Sequence, residues 1–254
     1  MVVERERRDG VGIIRLNRPE ARNAVSDEVS AAVEAALDEF ETDDEIRAVI
    51  VTGTGDVFSA GADLKMVAKG EGFKIATKRG GFGGITTRVY SKPLIAAVNG
   101  PALAGGFEIV LACDLVVAAD DARFGLPEVK RGLFAAAGGP YRLVRRIPLA
   151  TATEIVLTGD PIDARRAHDL GLVNRLVPKE KVMDEALALA ATIAANGPVA
   201  VRKSLRLLHE TGDLTEEQAR QLSNEVALEV FGSKDAIEGA TAFAEKRPPR
   251  WTGP

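Results

Sequence analysis

Leu94 to Ala119 reads LIAAVNGPALAGGFEIVLACDLVVAA, and the fold follows from how it divides. LIAAV (94–98) is a short apolar run rich in β-formers that stops at Asn99-Gly100-Pro101, so it is expected to be a buried strand ending in a turn. Gly105-Gly106 open a second segment, FEIVLAC, apolar on every side except for Glu108, which suits a helix packed on all faces. A helix starting near Ala104 leaves the amides of Gly105 and Gly106 unpaired at the positive end of its dipole. Such an end can bind an anion or a developing oxyanion. Glu108 then falls in the first turn, favoured by the dipole but set among apolar neighbours where a lone carboxylate is costly.

Plainer explanations stand beside this one. The glycine pair would also permit close packing of helix on strand, and Glu108 could pair with an arginine. The stretch is long enough to cross a bilayer, but Asn99, Gly100, Pro101, Glu108 and Asp114 interrupt it, which favours a buried core.

Working outward, Val2 to Arg8 and Val11 to Asn17 read as two strands around Asp9-Gly10, a dipeptide suited to a tight hairpin. Ser26 caps a helix in which Val29, Ala32, Val33, Ala36, Leu37 and Phe40 recur at helical spacing. Arg47 to Thr52 is a buried strand, and GTGDVFSAGAD (53–63) is a glycine-rich loop entering another helix. Strand, glycine loop and helix start thus occur twice. The loose, charged segment from Lys69 to Arg88, with GGFGG at 80–84, is expected to be a mobile flap. Leu115 to Ala119 is a further strand, and Pro127 holds Glu128 on a rigid loop. Beyond Pro148 the only strand signal is GLVNRLV (171–177), while helical periods cover 179–195, 198–210, 215–231 and 235–245. The expected architecture is an α/β core over residues 1–195 followed by a helical lobe over 196–254.

Composition narrows the chemistry. A net charge of −4 offers no basic field for nucleic acid. The lone Cys113 permits no internal disulfide and MVVERERR shows no apolar signal region, so a cytoplasmic protein is expected. With only His168 and His209, a Ser-His-Asp triad or histidine-rich metal site has little material. Chemistry must rest on carboxylates and backbone amides. Two amides converging on one oxygen would stabilise an enolate made from a thioester, and two carboxylates nearby could add or remove water.

As a set, LNRPEARNAV, VFSAGADL, KPLIAAVNGPALAGGFEIVLACD, ARFGLPEVKRGL, LTGDPIDARRAHDLGLVNRLVP and EGATAFAEKRPPRW closely resemble the crotonase family of enoyl-CoA hydratases and isomerases along nearly the whole chain. The resemblance implies a crotonase-like spiral of repeated β-β-α turns with a C-terminal helical oligomerisation lobe, assembled as trimers paired into a hexamer. It implies an acyl-CoA thioester substrate, with no metal, redox cofactor, nucleic-acid or membrane partner. By position, Ala60 and Gly105 match the oxyanion-hole amides. Glu108 matches the glutamate that activates water, and Glu128 the one that exchanges the proton at C2. Arg22, Ala24, Ala62, Asp63 and Leu64 match residues near the substrate and CoA, and Phe243 and Lys246 match C-terminal residues that meet CoA, often across a subunit interface.

Both hydratase glutamates being present favours hydration over double-bond migration. Isomerase or other enolate chemistry is the alternative, as is an acyl-CoA-binding relative without turnover. Ala104 stands where many hydratases have glycine, and Ala135 and Ala136 where they have proline and glycine. GFGGITT and SKDAIEGATAFAEKR resemble the crotonobetainyl-CoA hydratase (carnitinyl-CoA dehydratase) branch, without carrying its substrate over.

Overall fold

The computed structural model describes residues 1–253. In chain order its strands are β1 (Val3–Arg8), β2 (Val11–Leu16), β3 (Ala48–Gly53), β4 (Ala76–Thr77), β5 (Gly81–Phe82), β6 (Leu94–Val98), β7 (Ala102–Leu103), β8 (Leu115–Ala119), β9 (Arg123–Gly125), β10 (Ile162–Asp163) and β11 (Arg175–Val177). Its helices are α1 (Asp27–Thr42), α2 (Leu64–Ala68), α3 (Gly105–Ala112), α4 (Gly139–Leu143), α5 (Leu149–Thr158), α6 (Ala164–Asp169), α7 (Val182–Ala194), α8 (Pro198–Glu210), α9 (Glu216–Phe231) and α10 (Lys234–Glu245). Short 3-10 turns join several of them.

The large sheet runs β1-β2-β3-β6-β8-β11, parallel throughout except for the β1–β2 hairpin. Asp9 and Gly10 both take positive φ, as a tight hairpin turn requires. Strands β3 and β6 are buried along their whole length, as in a parallel sheet covered on both faces. Helix α1 starts where Ser26 accepts from the Val29 amide, and it sinks Val29, Val33, Ala36, Leu37 and Phe40 into the core.

A small second sheet explains the winding. Its order is β10-β9-β7, and an isolated parallel bridge adds Ser59 beside Ala102. Three successive turns share one plan. Each has a strand of the large sheet (β3, β6, β8), then a residue of the small one (Ser59, Ala102, Phe124), then a helical turn (α2, α3, or the 3-10 turn Pro127–Arg131). The bridges put these turns in register. Phe107 of α3 packs on Phe124 of β9 with ring centroids 5.5 Å apart, a contact worth about 1 kcal/mol beyond its buried area.

The β-β-α spiral is as expected. Strand β10 is an addition: two residues that pair with β9, too short for any periodicity to reveal. The expected flap is instead tied down. Glu34 of α1 accepts from Thr77 Oγ1 and the Gly80 amide at 2.6 Å each, and Asp38 pairs with Arg79 and Arg88.

Helix α7 packs on β3, β6 and β8, whereas α8 and α9 pack on each other and α10 on α9. After α10 the chain turns back: the Trp251 indole donates to the Ala195 carbonyl, and Asp235 accepts from the Thr252 and Gly253 amides. Among the described residues no helix is long and apolar enough to cross a membrane.

Candidate active site

The register of the small sheet delivers the functional groups side by side. Ala62 and Gly105 each stand three residues past the bridged pair Ser59 and Ala102, and Glu128 stands three past Gly125, the partner of Leu103. The loop 53–63 is held from the other side by residues 18–25. Asn23 donates to the Thr54 and Val57 carbonyls, Val25 donates to the Gly61 carbonyl, and Asp63 donates back to Val25.

That lacing corrects one expected donor. The Ala60 amide is spent on the Arg22 carbonyl at 3.0 Å, so it is not available to a ligand. Residues 61 and 63 use their carbonyl and amide, respectively, on Val25, and the intervening Ala62 amide has no partner among the described residues. The Gly105 amide, first in α3, is likewise unpartnered. The two are brought together by Gly61, at φ +92°, whose Cβ position would lie 2.8 Å from the Gly105 nitrogen. The free pair is therefore Ala62 and Gly105.

Ala104 caps α3 at φ 52°, ψ −131°, a region suited to glycine. It holds this strained shape because its amide donates to Gly125 and its carbonyl accepts from Phe107 and Glu108. Phe82 of β5 fills the space a Cβ on Gly105 would take, its ring atoms 2.3–2.4 Å from that position.

Glu108 is only 3% exposed, and its Oε1 accepts from the Gly139 amide at 2.8 Å. Burial pushes its carboxyl above the usual range, opposed by the Gly139 and Ala137 amides and the Arg142 charge. Glu128 is half-buried in the 3-10 turn that Pro127 opens, and its Oε2 is buried without a partner. Burial first, and then the negative charge of Glu108, push it up to about 7, against its own backbone amide and Arg131. The charge of Glu108 thus acts on Glu128, and among the described residues neither carboxylate is neutralised by an ion pair. The arginine partner weighed for Glu108 is present only as a nearby charge: Arg142 donates to the carbonyls of Ala137 and Thr86.

The other expected residues divide. Arg22 and Ala24 lie beside the site through the Ala60–Arg22 bond and the Arg18 guanidinium, which donates to the Ala24 carbonyl at 2.7 Å and pairs with Asp63 at 3.0 Å. Asp63 also caps α2 through the Lys65 amide, so its carboxylate holds the loop together. Although burial opposes it, these partners keep Asp63 below the usual carboxylate range. Leu64 is exposed at the mouth of that loop. Phe243 is 88% exposed, Lys246 ends α10 in the left-handed region, and among the described residues no hydrogen bond or ion pair joins α10 to the glutamates. Arg18, Gly139 and Arg142 were not singled out from the sequence. The glycine pair 138–139 before Pro140 was the one available signal.

Residues 6–254 match the family described as enoyl-CoA hydratase/isomerase. The chain is 42% identical to the enoyl-CoA hydratase EchA19 of Mycobacterium tuberculosis, over 97% of this chain and 94% of that one. It is 41% identical to the carnitinyl-CoA dehydratase of Citrobacter koseri, over 94% of each. It superposes on a crystal structure of an enoyl-CoA hydratase from Mycobacterium tuberculosis H37Rv with a TM-score of 0.96 at 49% identity, covering 100% of this chain and 99% of that one.

Proposed function

The chain belongs to the enoyl-CoA hydratase/isomerase family, and from that premise we propose that it adds water reversibly across the 2,3 double bond of an enoyl-CoA thioester. The observation that carries this is the unpartnered amide pair, Ala62 and Gly105, set near a buried Glu108 and a half-buried Glu128 that lack counter-ions among the described residues. The thioester oxygen accepts from both amides and gathers negative charge as C3 is attacked. Removing one such donor typically costs about 3 kcal/mol of barrier. Glu108, ionised and fixed by Gly139, takes a proton from water as its oxygen bonds to C3. Glu128, protonated, gives its proton to C2. The chemistry needs only these groups, CoA being part of the substrate. Loss of the enoyl-thioester absorbance on adding enzyme tests the activity directly. A folded protein that binds the thioester without this loss would favour the non-catalytic alternative.

The pair works with one proton between its two carboxylates, in either direction of reaction. Its last proton leaves near pH 7, the value to which Glu128 is pushed. Both hydration and dehydration kcat/KM should therefore fall together above about pH 7, and profiles flat from pH 6 to 9 would remove Glu128 from proton transfer.

We further propose a cytoplasmic homo-oligomer, trimers paired into a hexamer, with residues 196–254 as the assembling lobe. Leu208, Leu228, Phe231, Ile237 and Phe243 expose large apolar side chains on α8, α9 and α10, more than an outer layer in water ordinarily carries. On α7, Ala186 and Ala190 are buried against the chain's own sheet and so are not part of that exposed surface. Truncation from Asp235 should weaken both assembly and CoA-ester affinity, since Phe243 and Lys246 would reach CoA on a neighbouring subunit. A fully active monomer by light scattering would refute the shared site.

A further inference from the structure

We propose that Arg142 is the positioning residue for Glu108, clamping the carbonyls of Ala137 and Thr86 and so fixing the turn whose Gly139 amide holds the carboxylate. This rests on Glu108 being the base that activates water.

The geometry is that of a clamp between two segments far apart in the chain. Nη1 donates to the Ala137 carbonyl at 2.9 Å and Nη2 to the Thr86 carbonyl. Thr86 belongs to the segment that α1 holds through Asp38 and Arg88, so the glycine turn is tied through Arg142 to a segment that is itself bonded to α1. The guanidinium also lies over the Tyr141 ring, 4.9 Å from its centroid, which restrains its plane. Gly138, at φ +107°, adopts a backbone shape that side chains disfavour, and a Cβ there would displace the Arg142 guanidinium and the Tyr141 ring. The turn is therefore shaped around the guanidinium.

Glu108 has few substitutes for what the turn supplies. At 3% exposure it cannot regain water if Gly139 drifts away. Two positive charges act in this pocket: Arg142 from α4 favours the ionised form of Glu108, and Arg131, from the turn after β9, favours that of Glu128, which the charge of Glu108 opposes. Loosening the clamp removes a hydrogen bond from the ionised form and weakens the one charge that favours it. Lysine cannot replace it fully, because a point charge on a flexible stem does not span two carbonyls.

The test compares wild type, Arg142→Lys and Arg142→Gln, each also combined with Glu108→Gln, using a short 2-enoyl-CoA as substrate. Arg142→Gln should lower kcat about 10- to 100-fold, the scale of loss when a catalytic group is misplaced by an ångström. It should shift the acid limb of the kcat profile to higher pH and leave KM within about twofold. Arg142→Lys should lose kcat but keep the acid limb near its original place. In the Glu108→Gln background, Arg142→Gln should have no further effect. A wild-type kcat and acid limb in Arg142→Gln would overturn the proposal, as would an equal loss with and without Glu108, the signature of a merely structural arginine. Should melting curves show Arg142→Gln unfolded, Arg142→Lys carries the same comparison. Full activity of Glu108→Gln alone would overturn the hydratase reading as well, and it is recognised before any Arg142 variant is made.

Discussion

Glu108→Gln and Glu128→Gln are each expected to lower kcat by about a hundredfold or more while leaving CoA-ester binding intact and raising the melting temperature. The kinetic loss follows from removing one proton-transfer group from a two-group mechanism. The gain in stability follows from the same burial that tunes the groups. Both carboxyls are pushed upward in the folded protein, mainly by desolvation. A carboxyl whose folded value exceeds its unfolded one binds protons more tightly in the folded state. Its contribution is fully favourable below the unfolded value and is lost as pH rises through the folded one. For Glu128 that window runs from the ordinary 4.5 up to about 7. The melting temperature of Glu128→Gln should therefore exceed that of wild type by more at pH 8 than at pH 5. Calorimetry at the two pH values checks this. A variant that keeps hydratase activity, or one equally stabilised at both pH values, would separate the glutamate from its assigned part.

The second large effect is expected at a residue with no side chain. Gly61→Ala should reduce kcat by about a hundred- to a thousandfold, comparable to deleting an oxyanion donor. The added methyl would stand 2.7 Å from the Ala104 Cβ, 2.8 Å from the Gly105 nitrogen and 3.1 Å from the Leu103 carbonyl. It wedges apart the two strands of chain that present the Ala62 and Gly105 amides, at a backbone angle of +92° that already disfavours alanine. Ala104→Gly alone should stabilise the fold by about 1 kcal/mol, because glycine accepts the φ of 52° without strain. Combined with Gly61→Ala it should restore part of the rate by removing one methyl of the colliding pair. Circular dichroism establishes that the variants fold. Near-normal turnover in a folded Gly61→Ala protein would mean that the two amides do not act together.

What the sequence could and could not show is clearest at these same positions. Helix α3, its Ala104 start, the Asp9-Gly10 hairpin and the Ser26 cap were all legible, because each depends on residues adjacent in the chain. Gly105 was found for that reason. Its partner was expected two residues early, at Ala60, because which amides of a loop remain free is set by its neighbour: Arg22 takes the Ala60 amide, and Val25 pairs with residues 61 and 63. No local pattern reveals that register. The anchoring of 77–88 was missed similarly, since glycine and charge suggested looseness while Glu34 and Asp38, on another element, supply bonds to Thr77, Arg79, Gly80 and Arg88. The packing of α7 on its own sheet was not legible either, because a helix cannot show from its own sequence whether its apolar face covers its own sheet or a neighbour's.

The chain order of these contacts also governs how a newly made chain comes together. Glu108 is synthesised 31 residues before Gly139, the amide that holds it, and the edge of β8 at Val117 waits for Arg175 of β11. All the proposed catalytic groups therefore leave the ribosome while the large sheet still has an open, apolar edge. Distant strand pairing of this kind is slow and leaves sticky surface in the meantime. A chain halted between Leu143 and Arg175 would carry both glutamates and both amide donors, yet with β8 unpaired it would be a substrate for chaperones and proteases rather than a smaller catalyst.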